Sequence, residues 1–331
     1  MKESLVSIIV PCFNGEKVMH RMLESILSQT YKSIEILFVN DGSTDKSEEV
    51  WKTYEKRFSN VGITYKYIFQ ENQGLGAAIN TGLKVFSGEY LCWADVDDFF
   101  DNKSIEKRVQ FLERNLEYGS VSSDANCLQE ENLEKPISTI AEWMEHINEE
   151  WQFCYMLEGQ SIFCSGCHML RTSCFLDVNP ERSIYPARRG QNYQMLLPVY
   201  YKYKHGFINE PLYNYVIYEK SMSTPDANIG MELERAEEFI TLLKETLKKI
   251  DMDIEMVNYC ENQLKRREWD IFSAIYIKYG EPMNLLYRYL KLNMYKTEQK
   301  REIKGIIKAV ENKILDKKEY LIDKLKLFIN G

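Results

Sequence analysis

The sequence predicts an α/β protein built on a mostly parallel sheet, and three features carry that prediction. Short β-branched or aromatic runs alternate with amphipathic helical segments four times within the first 115 residues. Each run ends in a loop rich in Gly, Asn or Asp. The fourth run, Glu89 to Ala94, ends in three carboxylates, Asp95, Asp97 and Asp98. Crossovers between parallel strands are right-handed, so the loops at 11–16, 40–45, 72–76 and 95–98 converge on one edge, where open α/β sheets bind ligands.

The elements follow in order. Ser7 to Val10 is a β-branched run stopped by Pro11, and Cys12 to Gly15 turns into a helix whose Val18, Met19, Met22, Leu23, Ile26 and Leu27 share one face. Ile34 to Val39 is the second strand. Gly42 then permits a tight turn, and Asp45 with Glu48 has the spacing of a capping box for a helix reaching Phe58. Residues 63–69 form the third strand. The Asn72-Gln73-Gly74-Leu75-Gly76 loop after it sits where backbone N–H groups and a helix dipole favour an anion. A charged helix over 103–115 follows the acidic run. Beyond it the sequence reads as a strand at 118–128, a helix at 137–157, a strand at 161–171, an irregular loop at 177–189 and a closing strand at 207–215. From about residue 230 the chain is helical, which divides it into an α/β domain of residues 1–225 and a helical C-terminal region of residues 226–331.

Composition narrows the function classes. With 331 residues, 44% hydrophobic and 28% charged, the chain has the profile of an ordinary globular protein. No apolar run approaches the length of a membrane helix, and the N-terminus has no signal-peptide pattern, so a cytoplasmic location is expected. Residues 241–331 carry 19 Lys+Arg against 14 Asp+Glu, which leaves −13 of the total charge of −8 on residues 1–240. The acidic body argues against nucleic acid as a partner. The basic stretch from Ile303 to Phe328 keeps helical spacing, which fits core packing or peripheral contact with an anionic membrane face. The eight Cys lie mostly in apolar contexts and read as reduced packing thiols. Cys164-Ser-Gly-Cys167-His168 matches a haem-attachment or zinc spacing. Haem attachment requires an exported chain, and zinc requires a fourth ligand that no neighbouring residue supplies.

Alternation along the fourth strand places Asp95 and Asp97 on one side, where two hard oxygen donors suit Mg²⁺ or Mn²⁺ holding a diphosphate. The alternative is an acidic loop capping the next helix. Four motifs in register bear on the choice: Val10-Pro-Cys-Phe-Asn-Gly-Glu16, Val39-Asn-Asp-Gly-Ser-Thr-Asp45, Asn72-Gln-Gly74 and Ala94-Asp-Val-Asp-Asp98. Together they resemble family 2 glycosyltransferases with the GT-A nucleotide-diphospho-sugar transferase fold. The resemblance implies a metal-dependent, inverting transfer of a sugar from a nucleotide-diphosphate donor, usually a UDP-sugar. The hydroxyl acceptor would be glycan, lipid-linked or protein, as in bacterial surface polysaccharide biosynthesis. It implies that Pro11, Phe13, Asn14 and Glu16 line the nucleoside pocket and that Asn40 and Asp41 contact the base. Gln73 and Gly74 would lie near the nucleotide, Asp95 and Val96 near the ribose and the metal, and Asp97 on the metal.

Three departures from the family pattern stand out. Asn40 replaces the first of two usual Asp residues, and an amide can still face a uracil edge. Gln191 and Asn192 fall where a Glu-Asp pair normally supplies the general base, and neither amide accepts a proton at neutral pH. Tyr218 stands in place of a His near the diphosphate. His168 is expected either toward the acceptor or as a structural residue, and Asp177, Glu181 and Glu210 are the candidate substitute bases. Two rival functions follow. Nucleotidyl transfer to a sugar phosphate shares the architecture, but Cys12 to Glu16 lacks its Gly-rich basic signature. A non-catalytic nucleotide-sugar-binding or partner module is motivated by Gln191 and Asn192.

Overall fold

The structure, a computed structural model, describes residues 3–219 and 228–292. Strand β1 (Val6–Cys12) and strand β2 (Ile34–Asp41) are buried along their whole length. That is the signature of sheet covered on both faces, and it explains why both read as continuous apolar runs. Helix α1 (Met19–Leu27) buries Met19, Met22, Leu23 and Ile26 on its inner side. Helix α2 (Ser47–Asn60) buries Trp51, Tyr54 and Phe58 at three-to-four spacing, and Trp51 stacks on Phe38 of β2 at 4.4 Å. Strand β3 (Thr64–Gln70) is half exposed at the sheet edge.

Helix α3 (Leu75–Val85) leads to β4 (Tyr90–Trp93), the short β5 (Phe99–Phe100), α4 (Ser104–Arg114) and the long β6 (Tyr118–Gln129). The helix expected over 137–157 does not form. Instead β7 (Ser138–Thr139) pairs with β6, a 3₁₀ turn covers Ala141–Trp143, and only α5 (Phe153–Glu158) is α-helical. The β-branched residues at 137, 139 and 140 favour the ladder: Ile137 and Ile140 donate their N–H groups to Cys127 and Ala125 of β6. The strand expected at 161–171 shrinks to β8 (His168–Arg171), because Ser165–Cys167 forms a 3₁₀ turn. Helices α6 (Thr172–Val178) and α7 (Gln191–Lys202), strand β9 (Lys204–Ile217) and helices α8 (Ile229–Leu247), α9 (Ile254–Lys278) and α10 (Pro282–Lys291) complete the described chain.

The strand order is β3-β2-β1-β4-β8-β6-β9-β5, with β7 on β6. Strands β1 to β4 pair in parallel, β8 runs antiparallel between β4 and β6, and β6 and β9 are parallel to each other. The chain winds outward from β1 through β2 to β3 and then returns to place β4 on the other side of β1. The reversal opens a crevice between the loops after β1 and β4. A Cβ built on Gly15 would lie 3.4 Å from Val96, so these two loops are in van der Waals reach of each other.

The described residues fall into two compact units, one holding the sheet with residues 241–254, the other holding residues 228–240 and 255–292. In the second, Ala236, Ile240, Phe272 and Ile275 form a small core. Arg288 lies over the Phe272 ring at 3.5 Å and donates to Glu237. The basic stretch at 303–328 lies outside the described residues.

Two buried contacts hold the 3₁₀ turn before β8 in place. Arg108 of α4, fully buried, donates to the carbonyls of Gly166 at 2.8 Å and His168 at 3.1 Å, which fixes the 3₁₀ turn before β8. Gly166 in turn lies flat on Tyr213, whose ring would be only 1.9 Å from an added Cβ. Gly166→Ala therefore forces the buried ring aside. The expected loss is about 1–3 kcal/mol of stability, read as a lower midpoint in urea unfolding. Wild-type stability in this variant would disprove the close contact.

Candidate functional site

The loop after β1 and the loop after β2 are stitched together. Asn14, at a positive φ of 52° that Asn tolerates better than most residues, accepts from Thr44 N at 2.8 Å and donates its own N–H to Ser43 Oγ. Gly15 N donates to Ser47 Oγ, Glu16 N to Asp45 Oδ2, and Lys46 N to Glu16 Oε2. The expected Asp45–Glu48 capping box is absent, because Asp45 is occupied by Glu16 N, Ser47 N and Ser47 Oγ. Phe13 stands half exposed at this edge, while Pro11 is buried in β1.

Asn40 and Asp41 are both buried at the C-terminal end of β2. Asn40 accepts from Ser43 N at 2.9 Å and donates to Tyr67 Oη at 2.8 Å, using both halves of its amide. The Asp41 carboxylate gathers the next loop, accepting from Gln70 Nε2 at 2.7 Å, Gln73 N at 3.0 Å and Gly74 N at 2.9 Å. Gly42 and Gly74 have φ of 72° and 87°, which leaves glycine the natural choice at both turns. The loop over 179–190 is buckled onto α3 and α7 by two reciprocal amide pairs, Asn80 with Ile184 and Gln194 with Tyr185.

The three acids lie on a turn after β4 rather than on the strand itself, closed by Asp98 N donating to Asp95 O. Asp98 is sealed inside, accepting from Val216 N at 2.8 Å and Tyr213 Oη at 3.1 Å. Burial, then the charges of Asp97 and Asp95, push its carboxyl well above the usual range. Asp95 and Asp97 are half-buried. Burial raises Asp95 to about 6, helped by the Asp97 charge and opposed by Ser165 Oγ, which donates to it at 2.8 Å. Burial also raises Asp97, while its own backbone N–H and the Arg21 guanidinium pull it back. Arg21 and Tyr218 bond each other and both donate to the Asp97 carbonyl, at 3.1 and 3.2 Å.

Asp95 and Asp97 fit a divalent cation, since they offer two hard oxygens on one turn whose repulsion a dication would relieve. No group of three or more potential ligands gathers among the described residues, so the remaining positions would fall to phosphate oxygens and water. His168 does not face the acceptor side. It is fully buried, stacked on Trp93 at 6.0 Å, with Nε2 at 3.2 Å from Ile162 O, and burial holds it neutral with a pKa lowered to about 3. Gln191 is buried at the start of α7, and Asn192 bridges Trp93 and Phe163. Asp177 is paired with Lys202 and Tyr203 at the far end of α7, about 15 Å from Asn192 by helix rise. Glu210 pairs with Lys107 on α4. Both carboxylates are thus engaged in partly exposed ion pairs. Sequence reasoning missed Arg21 and Arg108, which lie in no motif, and Ser165, which sits inside the Cys164–His168 stretch without being singled out there.

A reversing parallel sheet with an acidic turn at its crevice is the GT-A architecture. The family model for Glycosyl transferase family 2 matches residues 7–178, just over half of the chain, and the chain belongs to that family. It is 42% identical over 110 residues to the uncharacterized glycosyltransferase RT0329 of Rickettsia typhi, covering 33% of this chain and 32% of that protein. It is 46% identical over 101 residues to the glycosyltransferase GlyA of Streptococcus pneumoniae serotype 4, covering 30% of this chain and 14% of the relative. The match thus spans about a third or less of these relatives. Among solved structures, Staphylococcus aureus TarS 1–349 in complex with UDP-GlcNAc superposes with a TM-score of 0.59 at 16% identity, covering 93% of this chain and 80% of that one. The mannosyltransferase PcManGT of Pyrobaculum calidifontis in complex with GDP-Man and Mn²⁺ gives 0.55 at 14% identity, covering 96% and 89%. At these identities the likeness concerns the fold. Among the described residues no helix is long and apolar enough to cross a membrane.

The Asp41 hub generates a test. In Asp41→Asn one oxygen becomes an amino group that meets an N–H donor in either orientation. The expected cost is about 1–3 kcal/mol. Faster amide exchange at Gln73 and Gly74 should accompany it, and unchanged exchange there would refute the hub.

Proposed function

We propose that the protein transfers a sugar from a nucleotide-diphosphate donor, a UDP-sugar, to a hydroxyl acceptor, with residues 1–225 forming the catalytic domain. The observation that carries this reading is the Asp95–Asp97 turn, half-buried at the crevice where the sheet reverses. Ligands of such sheets bind at that reversal, and two raised carboxylates on one turn, for which the Ser165 hydroxyl on Asp95 is small compensation, are best explained by a cation. A bound Mn²⁺ or Mg²⁺ would supply neutralisation of charge on the leaving diphosphate. In this reading Phe13, Asn14 and Glu16 form one wall of the nucleoside pocket. Asn40 and Asp41 act from behind, holding the Gln73–Gly74 turn that forms the opposite wall. The inverting outcome, the membrane contact and a glycan, lipid-linked or protein acceptor belong to the same proposal.

The amide at Asn192 favours one rival, a module that binds the nucleotide sugar without turning it over. Positioned bases contribute about 10²- to 10⁴-fold, so a chain lacking one retains slow transfer through orientation and electrostatics. Slow release of UDP from the best-binding donor over hours is the expected outcome. Tight donor binding with no release, across donors and acceptors, would favour the binding module.

The metal assignment has its own test. Asp97→Asn removes charge and keeps shape, so the rise in melting temperature produced by UDP with Mn²⁺ should disappear while the fold persists. Equal shifts in variant and wild type would refute it. The pH dependence follows from Asp95. Its folded pKa of about 6 lies above the ordinary value, so its contribution to stability is present at low pH and is lost as pH rises through about 6. Without metal, Asp95→Asn should therefore raise the melting temperature at pH 8 and leave it near wild type at pH 4. Mn²⁺ affinity of the wild type should fall as pH drops below about 6. A pH-independent affinity would separate Asp95 from the metal.

A further inference from the structure

Asn192 occupies the place of a general base, yet both halves of its amide are already engaged. Trp93 Nε1 donates to Asn192 Oδ1 at 2.6 Å, and Asn192 Nδ2 donates to Phe163 O at 2.5 Å. An indole nitrogen only donates, so the atom facing Trp93 is the oxygen, and the amino group is left to meet the carbonyl. Two residues further along each segment, Ser165 Oγ donates to Asp95 Oδ2 at 2.8 Å. The two bridges join the same pair of segments, 93–95 and 163–165, at equal spacing. Backbone pairing between β4 and β8 involves only Tyr90 and Leu91, so the ladder has ended before these bridges begin. Side chains take over where the sheet stops.

We propose that Asn192 is a positioning residue: it clamps Phe163 to Trp93, and through the two-residue offset it sets Ser165 against Asp95 at the donor site. The inference rests on the donor-site reading for its functional half only. It also accounts for the amide itself. A carboxylate at this position would satisfy Trp93 but present oxygen to the Phe163 carbonyl with no hydrogen between them. A protonated carboxyl would restore both bonds. The charge state of a carboxyl introduced here therefore reports on the clamp.

The test compares Asn192→Asp, Trp93→Phe and wild type, as full chains, by melting temperature and by UDP affinity with Mn²⁺ at pH 5 and pH 8. The titratable groups around the clamp are Cys164 next to Phe163, His168 stacked on Trp93, Asp95 two residues beyond Trp93, and Arg189 and Tyr193 close to Asn192 in sequence; all are common to the three proteins, so the variant-minus-wild-type difference is the quantity read. Because only the protonated carboxyl restores the bond to the Phe163 carbonyl, the clamp would raise the folded pKa of the introduced group, and its stability deficit would open as pH rises. Asn192→Asp should melt on the order of 5 °C below wild type at pH 8, with the gap closing toward pH 5. UDP affinity should be weaker by about ten-fold at pH 8, with that ratio also shrinking at pH 5. Trp93→Phe, which lacks the indole N–H, should show both defects without the pH dependence, and it carries the test if Asn192→Asp does not fold. Melting and UDP binding like wild type at both pH values would overturn the clamp. So would faster UDP release from a donor by Asn192→Asp at pH 8, because that is the signature of a restored base. If wild type itself fails to bind UDP with Mn²⁺, the donor reading falls, and the melting comparison still decides whether the clamp exists.

Discussion

Burying carboxylates next to one another is electrostatically unfavourable, and this fold does it three times within one turn. Asp98 shows how the cost is met where no ligand is involved: a tyrosine hydroxyl and a backbone N–H from β9 take both of its oxygens. Among the described residues Asp95 has only the Ser165 hydroxyl, and Asp97 is steadied mainly through its backbone carbonyl by Arg21 and Tyr218. The protein thus invests its hydrogen bonds in the shape of the turn and leaves two carboxylates under-compensated. The Arg108 grip on Gly166 and the seat of that glycine on Tyr213 fix two groups that reach the turn, Ser165 next to the glycine and the Tyr213 hydroxyl.

The parts of the fold legible in sequence were those decided locally. Continuous β-branched runs identified the buried parallel strands, because β1 and β2 are covered on both faces and need no alternation. Three-to-four spacing identified α1, and the acidic run was found because three Asp in four residues is rare enough to be noticed. Residues 137–157 misled because their Trp, Glu and Met content favours a helix in isolation, whereas pairing with β6 is a tertiary effect that no local pattern announces. Asp45 misled for a related reason, since its spacing to Glu48 is that of a cap, whereas its partners are Ser47 and Glu16 N in the loop after β1.

The same division runs through the candidate site. Motif residues marked which loops meet, but did not reveal which side chains turn inward. Asn40 and Asp41 carry the look of ligand contacts, and the structure gives them a further task that no motif announced, holding Ser43, Tyr67 and the Gln70–Gly74 segment. His168 sits beside a conspicuous Cys-x-x-Cys and proves to be a neutral core residue. Arg21 and Ser165 were invisible because the bonds through which they act are long-range: Arg21 lies 76 residues from Asp97 and 197 from Tyr218, and Ser165 lies 70 from Asp95.

The outer strand β3 has a further consequence. An open sheet edge is a row of unspent backbone donors and acceptors, and a second chain could extend it. Here Lys66 lies near the middle of that strand, exposed, with its ammonium drawn to Glu35 and the Val85 carbonyl. A docking strand would have to desolvate this charge and disturb its two partners at once. At the other end of the sheet β5 is only two residues long, too short to template a neighbour. Both margins thus discourage self-association, which leaves the exposed Phe69 on β3 a tolerable surface residue rather than the start of a fibre.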